Sequence, residues 1–240
     1  AIEDIKITSG DTAVTPVDAG AFASRTTIFA GKAVRLAAAD AKRQLLEKVA
    51  EKLEANPADL DIKDRRIFVK GSPERGIGFA EAVRSTLYAF GGNAILGRGE
   101  FDAKVAPHGQ DFLLTSAGHI SPAYTFGAQI IEVQVDRETG QVEPLKATVA
   151  QDCGFAINPL SLEGQVESCV AQAIGQALTE DLVRKDGVVL CPSFLDYKLP
   201  TVFEMPVVET ILVESIEPVG PFGAKGMGEG TVVPTSPAIA

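Results

Sequence analysis

Five glycines stand in the eleven residues Gly220-Pro221-Phe222-Gly223-Ala224-Lys225-Gly226-Met227-Gly228-Glu229-Gly230. No regular helix or strand keeps that density, because glycine loses the most backbone freedom on ordering. The chain must trace tight turns there or lie close against a ligand. A phosphate-cradling loop is the first candidate, and the spacing rejects it. Lys225 is followed by Gly226 rather than by Ser or Thr, and Gly226-Met227-Gly228 lacks a further glycine three positions on. What remains is Glu229 between two glycines, in a segment whose other charge is Lys225. A carboxylate flanked by bare backbone can be approached closely by a substrate, and partial desolvation would make it a better proton acceptor near neutral pH. A solvated Glu on an exposed turn satisfies the same composition.

Along the chain, Ile5-Lys6-Ile7-Thr8 alternates apolar and polar residues and meets Ser9-Gly10-Asp11, which reads as a strand entering a turn. Ala23-Ser24-Arg25-Thr26-Thr27 precedes a run rich in Ala, Leu and Lys that ends near Leu53. Ile28, Leu36, Leu46, Val49 and Leu53 give it an apolar helical stripe, and Lys42, Glu47, Lys48, Glu51 and Lys52 give it a solvated face. The hydroxyls of Ser24, Thr26 and Thr27 lie at the start of this helix, beside its unpaired N–H groups. They suit plain N-capping, or a phosphate or polar heterocycle at the positive end of the dipole.

Residues 60–70 read as a hairpin around Asp64-Arg65-Arg66, and residues 79–89 as a short helix that Gly91-Gly92-Asn93 breaks. Residues 106–118 read as loop with one strand. Two β-branched runs, 124–136 and 142–150, form a second hairpin. Asn158-Pro159 starts a helix expected to run to Arg184, with Val166, Val170, Ile174, Ala177 and Leu182 toward the core. Gly164, Ser168, Ala171 and Gly175 leave one side of it bare, and Gln165, Gln172 and Gln176 share a nearby face. Asp186-Gly187 is a turn, and a strand at 207–214 leads toward Glu229. No βαβ rhythm repeats, so the expectation is α+β, mixed or antiparallel sheets packed with helices, in two subdomains, 1–105 and 106–240.

The net charge of −10 argues against nucleic acid or an anionic membrane as partner, since both require a basic face. Cys153, Cys169 and Cys191 are widely spaced, which predicts buried free thiols rather than a zinc or iron–sulfur site. His108 and His119 have no carboxylate at ligand spacing and read as structural, so no metal ligand is expected. The odd cysteine count, with neither a signal peptide nor a membrane-length apolar run, points to a cytoplasmic setting. The first residue is Ala, which suggests a piece of a longer polypeptide.

Pro221-Phe222-Gly223-Ala224-Lys225-Gly226-Met227-Gly228-Glu229 closely resembles the active-site loop of the molybdenum hydroxylases, the xanthine dehydrogenase and aldehyde oxidase family. Asp152-Cys153-Gly154-Phe155-Ala156-Ile157-Asn158-Pro159 followed by Gly164-Gln165, and the block around Ser24, are similar to that family's pterin-holding segments. The resemblance implies the C-terminal part of a molybdopterin-binding subunit, a molybdenum-dependent oxidoreductase that is inactive as an isolated piece. Glu229 would be the base that activates a metal-bound oxygen. Ala23, Ser24, Arg25, Thr26 and Gln165 would hold the molybdopterin cofactor. An electron-poor carbon of an N-heterocycle or an aldehyde would be hydroxylated with water as oxygen source. Iron–sulfur clusters and FAD would sit on other domains or subunits, and the remainder of the molybdenum subunit would be a further partner. The alternatives implied are a hydroxybenzoyl-CoA reductase-type subunit and a non-catalytic assembly domain that kept the fold. Ser168-Cys169 stands where many relatives have two glycines and Ala173 where another is usual, side chains not expected to touch the base loop.

Overall fold

The computed structural model describes residues 2–18, 20–88, 92, 94–102 and 121–240. His108, His119, Gly91, Asn93, Ala89 and the whole 106–118 stretch lie outside the described residues. Two compact units result: one is Phe29–Asp102, and the other joins Ala1–Ile28 with Ala103–Ala240. The first 28 residues therefore group with residues 103–240, which differs from the expected subdomains 1–105 and 106–240.

Helix α1, Thr26–Leu53, opens in the larger unit and continues through the smaller one. Its length follows from a run without Pro and with a single interior Gly31, rich in strong helix formers. Strands β1, Leu60–Lys63, β2, Arg66–Val69, and β3, Ser72–Gly78, form an antiparallel meander, followed by helix α2, Phe79–Tyr88. The β1–β2 turn is Asp64-Arg65, both at positive φ (49° and 60°), as a tight two-residue hairpin requires. Leu45, Val49 and Ala50 of α1 pack with Leu60, Ile67, Ile77 and Ala82 into an apolar core. Leu36, read as core, is 40% exposed.

In the larger unit, β4, Gly127–Val135, and β5, Val142–Asp152, form an antiparallel hairpin running from Gly127↔Gln151 to Val135↔Val142. Its turn is organised by Asp136, whose carboxylate accepts N–H bonds from Glu138 (2.7 Å) and Thr139 (3.0 Å). Those N–H groups, Thr139 first, hold the Asp136 carboxyl below its ordinary value. After a two-stranded hairpin, β6 at Arg184–Lys185 and β7 at Val188–Val189, strand β8, Val207–Val213, joins β5 in parallel, from Lys146↔Val207 to Asp152↔Val213. The sheet is thus mixed, in order β4-β5-β8. Helix α3, Pro159–Ile174, buries Val166, Val170 and Ile174 against Ala147, Val149 and Cys153 of β5 and its end. Helix α4, Val232–Ile239, adds Ile239 to the same core.

Two expectations are corrected. Residues 5–8 form no strand. Ile5 and Ile7 are 65% and 84% exposed and pair with nothing in any of the three sheets, so the alternation there has no buried face to serve. The helix from Asn158 stops well before Arg184, closing in a single π turn, Gly175–Thr179, with Glu180 N–H donating to Gly175 O at 2.8 Å. Tyr197 OH binds Glu180 Oε2 at 2.5 Å and Thr179 Oγ1 binds Lys198 O at 2.8 Å, so a later segment supplies tertiary partners where the helix would have continued.

Candidate functional site

Because β5 and β8 are parallel, their C-terminal ends lie side by side, and the chain leaving β8 forms the glycine-rich loop, which pairs with the chain leaving β5. Cys153 N–H donates to Val213 O at 3.0 Å, Gly154 bridges Ala224, and Lys225 N–H donates to Cys153 O at 2.9 Å. From Gly223 to Met227 the loop is buried, and Gly228 and Glu229 then emerge as exposed residues.

Two polar contacts fix the flanks of Glu229. On one side, the ammonium of Lys225 pairs with Asp152 at 2.5 Å, both less than a tenth exposed, and Asp152 Oδ1 also accepts the Gly154 N–H at 3.0 Å. On the other, Thr231 Oγ1 donates to Gln151 Oε1 at 2.9 Å, while Gln129 Nε2 donates to Thr231 O at 2.7 Å. Every buried side-chain nitrogen and oxygen among the described residues has a partner. That is how a loop containing charge can be packed at a sheet end without an uncompensated desolvation cost.

Glu229 meets the other end of the larger unit's chain. Ser24 Oγ donates to Glu229 Oε2 at 3.2 Å and accepts the Glu229 N–H at 3.1 Å. Gln165 Nε2, from α3, donates to Gly228 O at 2.8 Å. Gly226 is required where Ser24 passes over the loop: a Cβ there would stand 1.7 Å from Ser24 O. A cavity of about 400 Å³ opens beside these groups, with Ser24, Tyr124, Thr125, Lys225, Glu229 and Gly230 in its wall.

A molybdopterin cofactor-binding domain model matches residues 1–206. The chain belongs to that family. Relatives of this molybdopterin-binding family align over nearly all of it and carry the match past residue 206. The 6-hydroxypseudooxynicotine dehydrogenase complex subunit gamma of Paenarthrobacter nicotinovorans is 33% identical over 99% of the chain and 29% of its own length. The carbon monoxide dehydrogenase large chain of Afipia carboxidovorans is 31% identical over 95% of the chain and 27% of its own length. Among solved structures, a Cu,Mo-CO dehydrogenase superposes with a TM-score of 0.81 at 30% identity, covering 98% of this chain and 28% of that one. Quinoline 2-oxidoreductase from Pseudomonas putida 86 gives 0.78 at 28% identity, over 92% and 27%. The chain therefore spans under a third of the length of the relatives it matches.

Of the residues singled out in this molybdopterin-binding domain, Ala23, Ser24 and Glu229 share the cavity wall. Gln165 reaches the base loop at Gly228, one residue before Glu229. Thr26 is the exposed first residue of α1, and the Arg25 guanidinium lies 4.9 Å from the centre of the Phe22 ring. The Ser24 hydroxyl binds Glu229, so its polar contacts are long-range rather than those of a helix cap.

One expectation about the loop is corrected. Cys169 does touch it: Sγ lies 3.5 Å from Gly228 O and 3.6 Å from Gln165 Nε2. Position 169 follows Gln165 by one helical turn, so any side chain there faces the same loop atom. Burial pushes the Cys169 thiol above its ordinary value, with the Gln165 bond working the other way. Cys153 is likewise pushed up, by burial first and then by the nearby Glu214 and Asp152 carboxylates. All three cysteines are free and buried.

The Lys225–Asp152 pair was not legible in the sequence, because its partners are 73 residues apart. The available signal was a lysine inside an otherwise apolar and glycine-rich stretch, a position where a cation needs a partner. Among the described residues no cluster of three His, Cys, Asp or Glu side chains could hold a metal, and no helix is long and apolar enough to cross a membrane.

Proposed function

We propose that this chain forms one wall of the molybdopterin site in a xanthine dehydrogenase/aldehyde oxidase-type hydroxylase, with Glu229 as its general base. The observation that carries the reading is the meeting, at 3.2 Å and beside one cavity, of two segments 205 residues apart that both resemble that family's site segments. The residues fit such a cofactor. The hydroxyls of Tyr124 and Thr125 in the cavity wall are the donor types a polar, anionic heterocycle requires, and Gly230 beside them adds no side chain to that wall. Residues Ala23 to Thr26 and Gln165 are the ones proposed to hold it.

The cofactor, when bound, supplies oxygen transfer and takes up the two electrons of the oxidation; the protein supplies binding, orientation and proton handling. Glu229 accepts the proton at the reacting oxygen. Ser24 engages Oε2, which leaves Oε1 as the carboxylate oxygen not held by that bond. The buried ion pair on one side and the Thr231–Gln151 bond on the other keep the carboxylate in place through the cycle. The substrate is an electron-poor carbon of an N-heterocycle or an aldehyde. Iron–sulfur and flavin subunits, and the rest of the molybdenum subunit, complete the enzyme in the cytoplasm.

The test is Glu229→Gln in the complete holoenzyme. The side chains are nearly isosteric, so molybdenum content and melting temperature should stay at wild-type values while kcat falls by about 10²–10⁴-fold. A Gln variant with full molybdenum occupancy and more than about a tenth of wild-type turnover would overturn the assignment.

A further inference from the structure

Gly228 O and Glu229 N–H belong to a single peptide unit, and each is bound by a different element of the larger unit. Gln165 Nε2 donates to the carbonyl at 2.8 Å, and Ser24 Oγ accepts from the N–H at 3.1 Å. We infer that Ser24 and Gln165 form a two-sided clamp on the Gly228–Glu229 peptide that aims the Glu229 carboxylate, and act as positioning residues for the base. The inference rests on Glu229 being that base.

A peptide unit is planar, so holding its carbonyl from one side and its N–H from the other stops it from swivelling between its two Cα atoms. The Cα–Cβ bond of Glu229 is then directed by the clamp. The need for one follows from the flanking residues: Gly228 and Gly230 carry no side chain to pack, and glycine dihedrals are soft. Gly228 is exposed, and a Cβ on it would meet only Ser24 Oγ, at 3.7 Å, so packing does not restrain it. Hydrogen bonds do.

Ser24 is built for this contact. It sits at φ 51°, a left-handed conformation unusual for serine. Its carbonyl oxygen is pressed against Gly226, and its hydroxyl bridges the N–H and the carboxylate of Glu229. A hydroxyl has one proton to give, and here it is given to Glu229 Oε2, so Ser24 has no donor left for a cofactor. The Gln165 amide spends its Nε2 protons on Gly228 O and toward the Cys169 sulfur, leaving Oε1 as its remaining polar atom. The Cys169 thiol is a second, longer donor on the same carbonyl, at 3.5 Å.

The experiment compares Ser24→Gly, Gln165→Met and the double variant in the complete holoenzyme, reading molybdenum content, kcat per bound molybdenum, and KM. Ser24→Gly removes the hydroxyl and also relieves the left-handed backbone, so a loss of turnover cannot be put down to misfolding at that position. Each single variant is expected to lower kcat per bound molybdenum by roughly ten- to a hundredfold, the scale of a misplaced catalytic group, with KM within about twofold. The double variant should lose little more than the worse single one, because a peptide freed at one pole is already free to turn. The clamp is overturned if kcat per bound molybdenum stays within about threefold of wild type, whatever the molybdenum content does, or if the two losses multiply. Glu229→Gln separates the two readings: a normal kcat there removes the base itself, whereas a dead Gln variant beside an unaffected Ser24→Gly removes only the clamp.

Discussion

The two units are held together by different physics. The core of Phe29–Asp102 is apolar throughout, Leu45, Val49, Ala50, Leu60, Ile67, Ile77 and Ala82, and the fully buried polar side chain described there is Thr86, whose hydroxyl turns back to Val83 O. The larger unit also has an apolar core, but beside it Gln151, Asp152, Lys225, Thr231 and Thr235 are buried and bonded to one another or to backbone. The gain from burying apolar surface is non-directional. Hydrogen bonds and ion pairs have angles, and a loop that must present one carboxylate in one direction needs them. The contrast teaches that buried polarity here marks where orientation matters.

The comparison is broken most severely at the ion pair. Lys225→Met leaves Asp152 charged, buried and without its cation, and is expected to cost about 3–5 kcal/mol of unfolding free energy in denaturant titrations. Asp152→Leu combined with Lys225→Met should recover most of that loss. If the single variant costs no more than a surface change, about 0.5 kcal/mol, the pair does not organise the loop.

In the smaller unit, Ile67→Ala should cost about 2–5 kcal/mol by the same titration, through lost transfer energy and a cavity. The two variants differ in kind, which sharpens the contrast. A second replacement at an apolar neighbour of Ile67, Leu45→Ala, should add to the damage, whereas removing the second partner of the ion pair should repair it.

The smallest effect is on pH dependence. Burial raises the Cys153 and Cys169 thiols above the values they have in the unfolded chain. The folded state therefore keeps protons that the unfolded state loses. This contribution to stability is fully present below the unfolded thiol value and is lost as pH rises through it toward the folded value. Thermal melts taken upward from about pH 8 should show a decline that is shallower in Cys153→Ala than in wild type. Parallel declines would show that the buried thiols do not contribute. Residues 29–102 contain no cysteine, so amide exchange in β1–β3 should not register the replacement.

Elements whose signal is local were legible in the sequence. The Ala- and Leu-rich run became α1, starting two residues earlier than expected and ending at Leu53 as expected, and Asp64-Arg65 and the 136–141 segment became hairpin turns. Asn158 does cap α3, accepting the Ser161 N–H at 3.3 Å. Other features had no local signal. Alternation at Ile5-Lys6-Ile7-Thr8 looks like a strand whether or not a partner exists, and none pairs with it. Leu36 has helical spacing but faces outward, while Leu45, absent from the expected stripe, is 4% exposed. The bare face of α3 was visible, and the fact that Cys169 on it meets Gly228 was not.

By itself the sequence determined the α+β class, the helix and hairpin positions, and the prominence of Glu229 among glycines, because each depends on residues within a few positions of one another. Only the tertiary structure decided that β8 runs parallel to β5, that Asp152 neutralises Lys225, and that Ser24 and Gln165 close on one peptide from 205 and 63 residues away. Those choices rest on which distant groups can satisfy one another once water is excluded, and spacing along a chain carries no record of that.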